Sequence, residues 1–290
     1  MAFDWLKRRT GGEIEPRPPK EGDAPKTALQ QIMFPWGPDG EIAANLAIGT
    51  LRNSLLKWLK TDRGVHAETL MVVIGAIAGF AAQNAVWQTV ARSGKAVRQL
   101  DPANVHADGS FLFVVSRSGE KFYVGELLNG YLAPEAGAGA AIKYPLWNLI
   151  AATALEAGVS ISDLPDLREM FRYVSKTVGT DAFGVVRAEA GHQPGLSARQ
   201  ALKIYWPYAK FILGRADELL SRTEGLGAER TSVAPEHWPI VVALVAKQLI
   251  TLAKDTLNPR LSVALIMEAA IAASKVDPET VPQSMPQPLS

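Results

Sequence analysis

A run of apolar residues from Thr69 to Trp87 is the feature that most constrains how this chain folds. Within these 19 residues the only strongly polar side chains are Gln83 and Asn84. A segment of this length either crosses a bilayer or is enclosed by other parts of the protein. Its many alanines and glycines make it weakly hydrophobic, and no flanking basic cluster would orient it in a membrane. We therefore predict a buried helix of a soluble protein from Ala67 to Arg92, with Gly94 as its C-cap.

This central helix has two different faces when residues are placed about 100° apart. One face is a narrow strip of mostly small residues, namely Gly75, Gly79, Ala82 and Val86. Such a strip allows a neighbouring helix to approach closely. The other face is bulky and consists of Val73, Ile77, Phe80 and Trp87. Asn84 falls among the bulky residues, where an unpaired amide costs about 1–3 kcal/mol. Its side chain either binds the backbone of a loop or hairpin, or points into a ligand pocket.

Other helices are predicted on both sides of the central one. A first helix fits residues 41–60, where the apolar residues keep an approximate 3.6-residue spacing at Ile42, Leu46, Gly49, Leu56 and Leu59. Four more begin near Pro145, Ser162, Ser197 and Pro235, and the third of these has the capping-box spacing Ser197–Gln200. A last helix follows Asn258 and covers residues 260–275.

The one clear β signal lies between residues 111 and 125. Two runs of β-branched and aromatic residues flank the glycine-containing loop 116–120, a pattern typical of a hairpin. An isolated hairpin is marginally stable, so it needs helices or a third strand, for which Val185–Val186 is a weak candidate. The fold class predicted is therefore all-α, or α-dominated, with about seven helices packed around the central helix 67–92 and one β-hairpin.

Three segments are predicted along the chain. Residues 1–28 form a flexible head and linker, because the stretch from Thr10 on is rich in proline, glycine and charge. Residues 29–276 form a single helical domain, and residues 277–290 a disordered tail. The first nine residues place Phe3, Trp5 and Leu6 beside three basic residues. This amphipathic head either docks weakly on an anionic membrane or a partner groove, or folds back onto the body.

Composition excludes several kinds of function. The chain has 30 basic and 29 acidic residues, a net charge of +1, without the basic cluster of a nucleic-acid binder. It has no cysteine, which removes disulfides, thiolate nucleophiles and zinc sites that need cysteine. The N-terminal sequence lacks the apolar core of a secretory signal, so a cytoplasmic location is expected.

Histidines offer little support for a metal site. None of the four lies four residues from another, so a helical zinc site is not predicted. His66 and Glu68 at the start of the central helix form either an acid–base pair or a polar cluster at the helix terminus. No phosphate-loop or dinucleotide motif is complete, and neither a cofactor nor a metal ion is predicted.

Glu268 stands in a helix that is apolar nearly all round, and Lys247 stands similarly in the helix before it. A buried carboxylate needs a partner, or its pKa rises. The partner is Lys247, or else Arg52 or Lys203, in a structural pair; the alternative is that Glu268 serves as an active-site acid.

These patterns favour a non-catalytic helical module that acts by protein interaction, as an oligomer or an adaptor. One alternative is an enzyme or small-molecule binder with a pocket between the central helix and the hairpin, using Asn84, His66 or Glu268. A second alternative is a peripheral membrane protein docked by residues 1–9. A protein partner or self-association is expected, without nucleic acid and without a transmembrane span.

Overall fold

The computed structural model describes residues 35–94, 97–99, 111–134, 142–214 and 233–284. Eight α-helices lie in these ranges: α1 (Gly37–Trp58), α2 (Ala67–Ser93), α3 (Glu126–Leu132), α4 (Leu146–Glu156), α5 (Leu167–Thr177), α6 (Ala198–Gly214), α7 (Trp238–Ala253) and α8 (Pro259–Ala273). Short 3-10 turns cover Ile161–Asp163, Pro235–His237 and Pro278–Thr280. The prediction of an α-dominated fold with a β-hairpin is confirmed. The helix that the sequence did not predict is α3, which is too short for its periodicity to be recognised.

The predicted central helix is α2. It packs against α8, α7, α6 and α3 and against the 3-10 turn at Pro235–His237. Its end is also as predicted, because Gly94 adopts the left-handed conformation with φ of 65°. By length and hydropathy it is the one helix among the described residues that could span a membrane, but 94% of its most apolar window is buried by the rest of the protein. Burial on every side favours a core helix over a membrane span.

The closest helix contact in the core is between α2 and α8. A Cβ atom at Gly79 would lie 2.7 Å from the carbonyl carbon of Ala270, and one at Gly75 would lie 2.9 Å from the Cα of Ile266. Both distances are below van der Waals contact, so only glycine fits at these two positions. The predicted strip of small residues therefore does serve the close approach of a neighbouring helix.

The hairpin consists of strands Leu112–Val115 and Lys121–Val124, paired antiparallel with Phe113 opposite Tyr123. A third strand, Arg98–Gln99, pairs parallel with the first. This strand takes the place for which Val185–Val186 was the candidate; those two valines lie outside the described strands. The hairpin is also joined to the segment after α8, because the Tyr123 amide donates to the Lys275 carbonyl oxygen at 2.9 Å.

The residues that helix α1 buries lie on the face opposite to the apolar residues whose spacing predicted this helix. Its buried residues are Ala43, Ala44, Ala47, Ile48, Leu51 and Leu55, which pack towards α6 and α7. Its other face carries Ile42, Leu46, Gly49, Asn53 and Leu56, which we call the outer stripe. Ile42 is 63% exposed there. Helix α1 thus has a second, largely apolar face, on which Ile42 is exposed and Leu56 packs against the edge of the core.

The segment after α8 packs on the body. Asp277 and Val281 are buried, and the 3-10 turn Pro278–Thr280 lies between them. The start of the segment that the sequence assigned to a disordered tail thus contacts the body through Asp277 and Val281, while residues 282–284 are exposed. Residues 285–290 lie outside the described residues, as does the predicted head and linker 1–28.

Candidate functional site

A polar cluster surrounds the N-terminus of α2. The Nδ1 atom of His192 lies 2.7 Å from Oε1 of Glu68, and Nε2 of His66 lies 3.4 Å from Oε2 of the same carboxylate. Thr69 Oγ1 accepts a hydrogen bond from the Gly195 amide at 2.8 Å and lies 2.8 Å from His66 Nδ1. The loop that precedes α6 is thereby attached to the first turn of the central helix.

Glu68 holds the centre of this cluster. Burial acts to raise the pKa of its carboxyl group, but the hydrogen bond from His192 and the nearby imidazoles outweigh burial and lower that pKa. An ionised carboxylate in the first turn of α2 also interacts favourably with the helix dipole. The predicted proximity of His66 and Glu68 is found, but His192 is the closer partner. Sequence reasoning gave His192 no role, because it lies 124 residues away from Glu68.

Glu268 is buried, as predicted, and its partner is Arg187. The carboxylate accepts from the Arg187 amide at 2.7 Å and from its Nε at 2.6 Å. The guanidinium also lies over the ring of Tyr173, with its carbon 4.5 Å from the ring centroid. Burial raises the pKa of Glu268, and the bonds from Arg187 partly offset this. This arrangement fixes the loop around residue 187 to α8.

The partners proposed for Glu268 from the sequence bind elsewhere or have no contact with it. Lys247 Nζ lies 3.5 Å from Oε2 of Glu156 on α4. Arg52 donates to Gln248 at 3.2 Å on α7. Lys203 is exposed on α6. The segment between α5 and α6 places Arg187 beside the carboxylate instead. The sequence did not predict the path of this segment.

Asn84 donates from its Nδ2 to the Phe80 carbonyl oxygen of its own helix at 2.9 Å. Among the described residues it therefore does not make the contact to a loop or hairpin that the sequence favoured. The neighbouring Gln83 makes a contact of that kind: its Nε2 donates to the carbonyl oxygens of Ser274 at 2.9 Å and Val276 at 2.7 Å. Gln83 Oε1 is buried and has no hydrogen-bond partner within the described part of the chain. Gln83 is thus the amide that joins the central helix to the end of α8.

The space between α2 and the hairpin is filled by aromatic rings. The Trp87 ring centroid lies 5.2 Å from that of Phe111 and 5.5 Å from that of Tyr123, both in edge-to-face contact. The two cavities that we describe lie elsewhere. One, of about 770 Å³, is an open polar depression beside Asp163 and Arg260, and the other, of about 470 Å³, lies between Phe211 and Trp238.

Lys275 is a buried lysine at the end of α8. The residue is 5% exposed, and burial lowers the pKa of its ammonium group to about 8. Its backbone carbonyl lies in the segment that Gln83 and Tyr123 bind. The sequence gave no signal for this burial, because a lysine after an apolar helix is normally a solvated end.

Two further predictions from the sequence concern metal binding and the N-terminal docking residues. Among the described residues, no group of three histidine, aspartate or glutamate side chains is arranged to hold a metal ion. The candidate docking residues Phe3, Trp5 and Leu6 lie outside the described residues.

The outer stripe of α1 is the remaining feature that could bind a partner. Ile42 and Asn53 are exposed, and Leu46, Gly49 and Leu56 are partly exposed. A Cβ atom built at Gly49 would have no atom within 4 Å among the described residues. Among the described residues the surface is therefore open around Gly49 and Ile42, whereas Leu56 also packs against the edge of the core.

Comparison of the chain with protein-family models, with curated proteins and with solved structures found no match in any of the three.

Proposed function

We propose that this protein is a helical interaction module that binds a protein partner through the outer stripe of α1. The observation that carries the proposal is that Ile42 is exposed, and Leu46 and Gly49 partly exposed, at helical spacing, although the same helix already buries a different face in the core. Isolated apolar side chains are common on protein surfaces, whereas a run at helical spacing marks a contact surface. Amphipathic helices bind partners through residues with this i, i+4, i+7 spacing.

The contacts of the candidate catalytic residues support an interaction role over an enzymatic one. Glu268 is engaged by Arg187, and Asn84 bonds to its own helix. The rings of Trp87, Phe111 and Tyr123 occupy the place where a ligand pocket was expected. Glu268 and the three rings thus already join elements of the fold, and the Asn84 amide bonds within its own helix.

The experiment is affinity capture from the native host with the wild-type chain, the Ile42→Glu variant and the Val115→Glu control. Ile42 and Val115 are both exposed, at 63% and 44%, and Val115 lies on the hairpin rather than on α1. We expect all three proteins to have the same melting temperature. A specific protein retained by the wild type and the control but lost by Ile42→Glu supports the proposal. Identical retention by all three proteins contradicts it.

A second candidate function is acid–base catalysis by Glu68 and His192. The distance of 2.7 Å between them orients the imidazole, whose side chain is 41% exposed, so that its other nitrogen can accept a proton. The test is turnover of chromogenic ester and phosphoester substrates, with His192→Gln as the variant and His237→Gln as the control. Equal rates in the two variants and the wild type would exclude this role.

Membrane docking by residues 1–9 stays a separate prediction. Deleting these residues and measuring binding to anionic vesicles tests it. Binding that is unchanged by the deletion contradicts it.

A further inference from the structure

Residues 184–198, between α5 and α6, form a loop whose two ends are joined. The Ala198 amide donates to the Gly184 carbonyl oxygen at 2.7 Å, and Phe183 and Ala198 are both buried beside this bond. Gly184 has a φ of 85°, in the left-handed region that favours glycine. A compact surface loop with adjacent ends is an Ω-loop, a type that is frequently functional. We call the bond between Gly184 and Ala198 the neck of the loop.

Residues 187–195, beyond the neck, contribute little to the apolar core. All of them are exposed or partly exposed, and among them Ala188 packs against the edge of the core. Val186, just before them, is buried. A segment with few buried apolar contacts opens at a lower free energy than the core around it.

Polar contacts hold this segment against two buried carboxylates. Arg187 donates to Glu268 from its amide at 2.7 Å and from its Nε at 2.6 Å, and His192 Nδ1 lies 2.7 Å from Glu68 Oε1. The side chains of Glu268 and Glu68 are 3% and 12% exposed, whereas those of Arg187 and His192 are 45% and 41% exposed. The segment therefore lies between both carboxylates and the solvent.

We propose that residues 187–195 form a lid, which swings about the neck as one unit and uncovers the carboxylates of Glu68 and Glu268. The contacts that opening breaks are mainly polar, and water replaces them at both carboxylates, so little apolar surface is exposed. Opening also carries His192 away from Glu68, so this pair is assembled only while the lid is closed. The lid contacts α2 and α8 rather than α1, so the inference does not depend on the proposed function of the outer stripe.

Movement as one unit is tested by amide hydrogen exchange, measured by NMR on the full chain. The amide that reports on it is that of Arg187, which bonds to Glu268 at the opposite end of the lid from His192. We expect His192→Leu to raise the exchange rate of this amide about tenfold, because a hydrogen bond to a charged group that holds the lid is lost.

The matched control is Gln193→Leu, which makes a similar change at the next position. Gln193 is exposed, and its Nε2 donates to carbonyl oxygens within the lid itself, so its loss should leave the Arg187 amide unchanged. An exchange rate at Arg187 that is the same in His192→Leu and the wild type would overturn movement as one unit.

A disulfide across the edge of the lid tests whether it opens, and the chain has no cysteine of its own to interfere. The Gly195 amide donates to Thr69 Oγ1 at 2.8 Å, and a Cβ atom built at Gly195 would lie 3.4 Å from that oxygen. Thr69→Cys combined with Gly195→Cys therefore places two thiols within disulfide reach. Failure of this disulfide to form would contradict the closed position of the lid.

Trypsin cleavage after Arg187 reports opening, because a protease cuts a segment that is lifted from the body. We expect cleavage there in the wild type and in the reduced double variant, and at least about tenfold slower cleavage in the oxidised one. Mass spectrometry of the peptides measures the rates. Equal rates in the oxidised and reduced forms, or no cleavage at Arg187 in the folded wild type, would overturn the lid.

Discussion

Two glycine-containing apolar helix faces of this protein lie in opposite environments. The face of α2 with Gly75 and Gly79 is covered so closely by α8 that a Cβ atom does not fit. Gly49, in the outer stripe of α1, faces open space in the described part of the chain. Both faces show helical spacing of apolar residues, so the periodicity identifies the helix but not what covers it. Whether a helix face is covered depends on a second surface of matching shape. For α2, helix α8 provides that surface with Ala269 and Ala270.

The largest loss of stability is expected when one methyl group is added to the covered face, at Gly79. Gly79→Ala places its Cβ against the backbone of Ala270, which no side-chain rotation can relieve, so the helices must separate. We expect the free energy of unfolding to fall by about 3 kcal/mol or more. Denaturant unfolding monitored by circular dichroism measures this. An unchanged midpoint would contradict the close packing of α2 on α8.

A second large effect is expected at the covered end of α8, where Lys275 is buried. Its pKa of about 8 lies below the ordinary 10.5, so at pH 7 the folded protein contains a buried charge that the unfolded chain solvates. Replacing it with methionine removes that cost. We expect Lys275→Met to raise the free energy of unfolding at pH 7 by up to about 3 kcal/mol.

The pH dependence has a definite sign. Between pH 8 and 10.5 the folded protein binds fewer protons at Lys275 than the unfolded chain does, so this group makes the wild type more stable as the pH rises. The advantage of Lys275→Met should therefore shrink over this window. Unfolding of both proteins at several pH values measures it, with the exposed Lys254→Met as the control. A constant difference between Lys275→Met and the wild type would contradict the buried charge.

A smaller effect is expected at Gln83, on the same covered face. Gln83→Met removes two hydrogen bonds and leaves the carbonyls of Ser274 and Val276 without this donor, but it also removes an Oε1 that is unpaired among the described residues. We expect a net loss of about 1–2 kcal/mol. The matched control is Asn84→Met, which leaves both of those bonds intact and should cost less. Equal losses in the two variants would mean that Gln83 does not join α2 to α8.

Local signals account for what the sequence predicted correctly. The central helix, its Gly94 cap and the hairpin are all encoded within a few residues of where they form. The capping box is another example: the Ser197 amide donates to Gln200 Oε1 at 2.9 Å, and the Gln200 amide donates to Ser197 Oγ at 3.3 Å. These interactions join residues three apart, so spacing alone reveals them.

The contacts at the candidate sites join residues far apart in sequence. His192 is 124 residues from Glu68, and Arg187 is 81 residues from Glu268. Both pairs depend on the path of the irregular segment between α5 and α6, which has no periodic pattern to read. The burial of Glu268 could be predicted from its apolar helix, whereas its partner could not, because several cations were equally plausible in sequence.

The smallest effect, and the one of opposite sign, is expected at Gly49. Gly49→Ala introduces a methyl group into open space and removes the entropic cost of a glycine within a helix. We expect the free energy of unfolding, measured by denaturant unfolding, to rise by about 0.5–1 kcal/mol. Gly49→Ala and Gly79→Ala thus make the same chemical change on an open and a covered face. If both variants lowered the free energy of unfolding, Gly49 would be covered in solution, and the contrast between the two faces would be wrong.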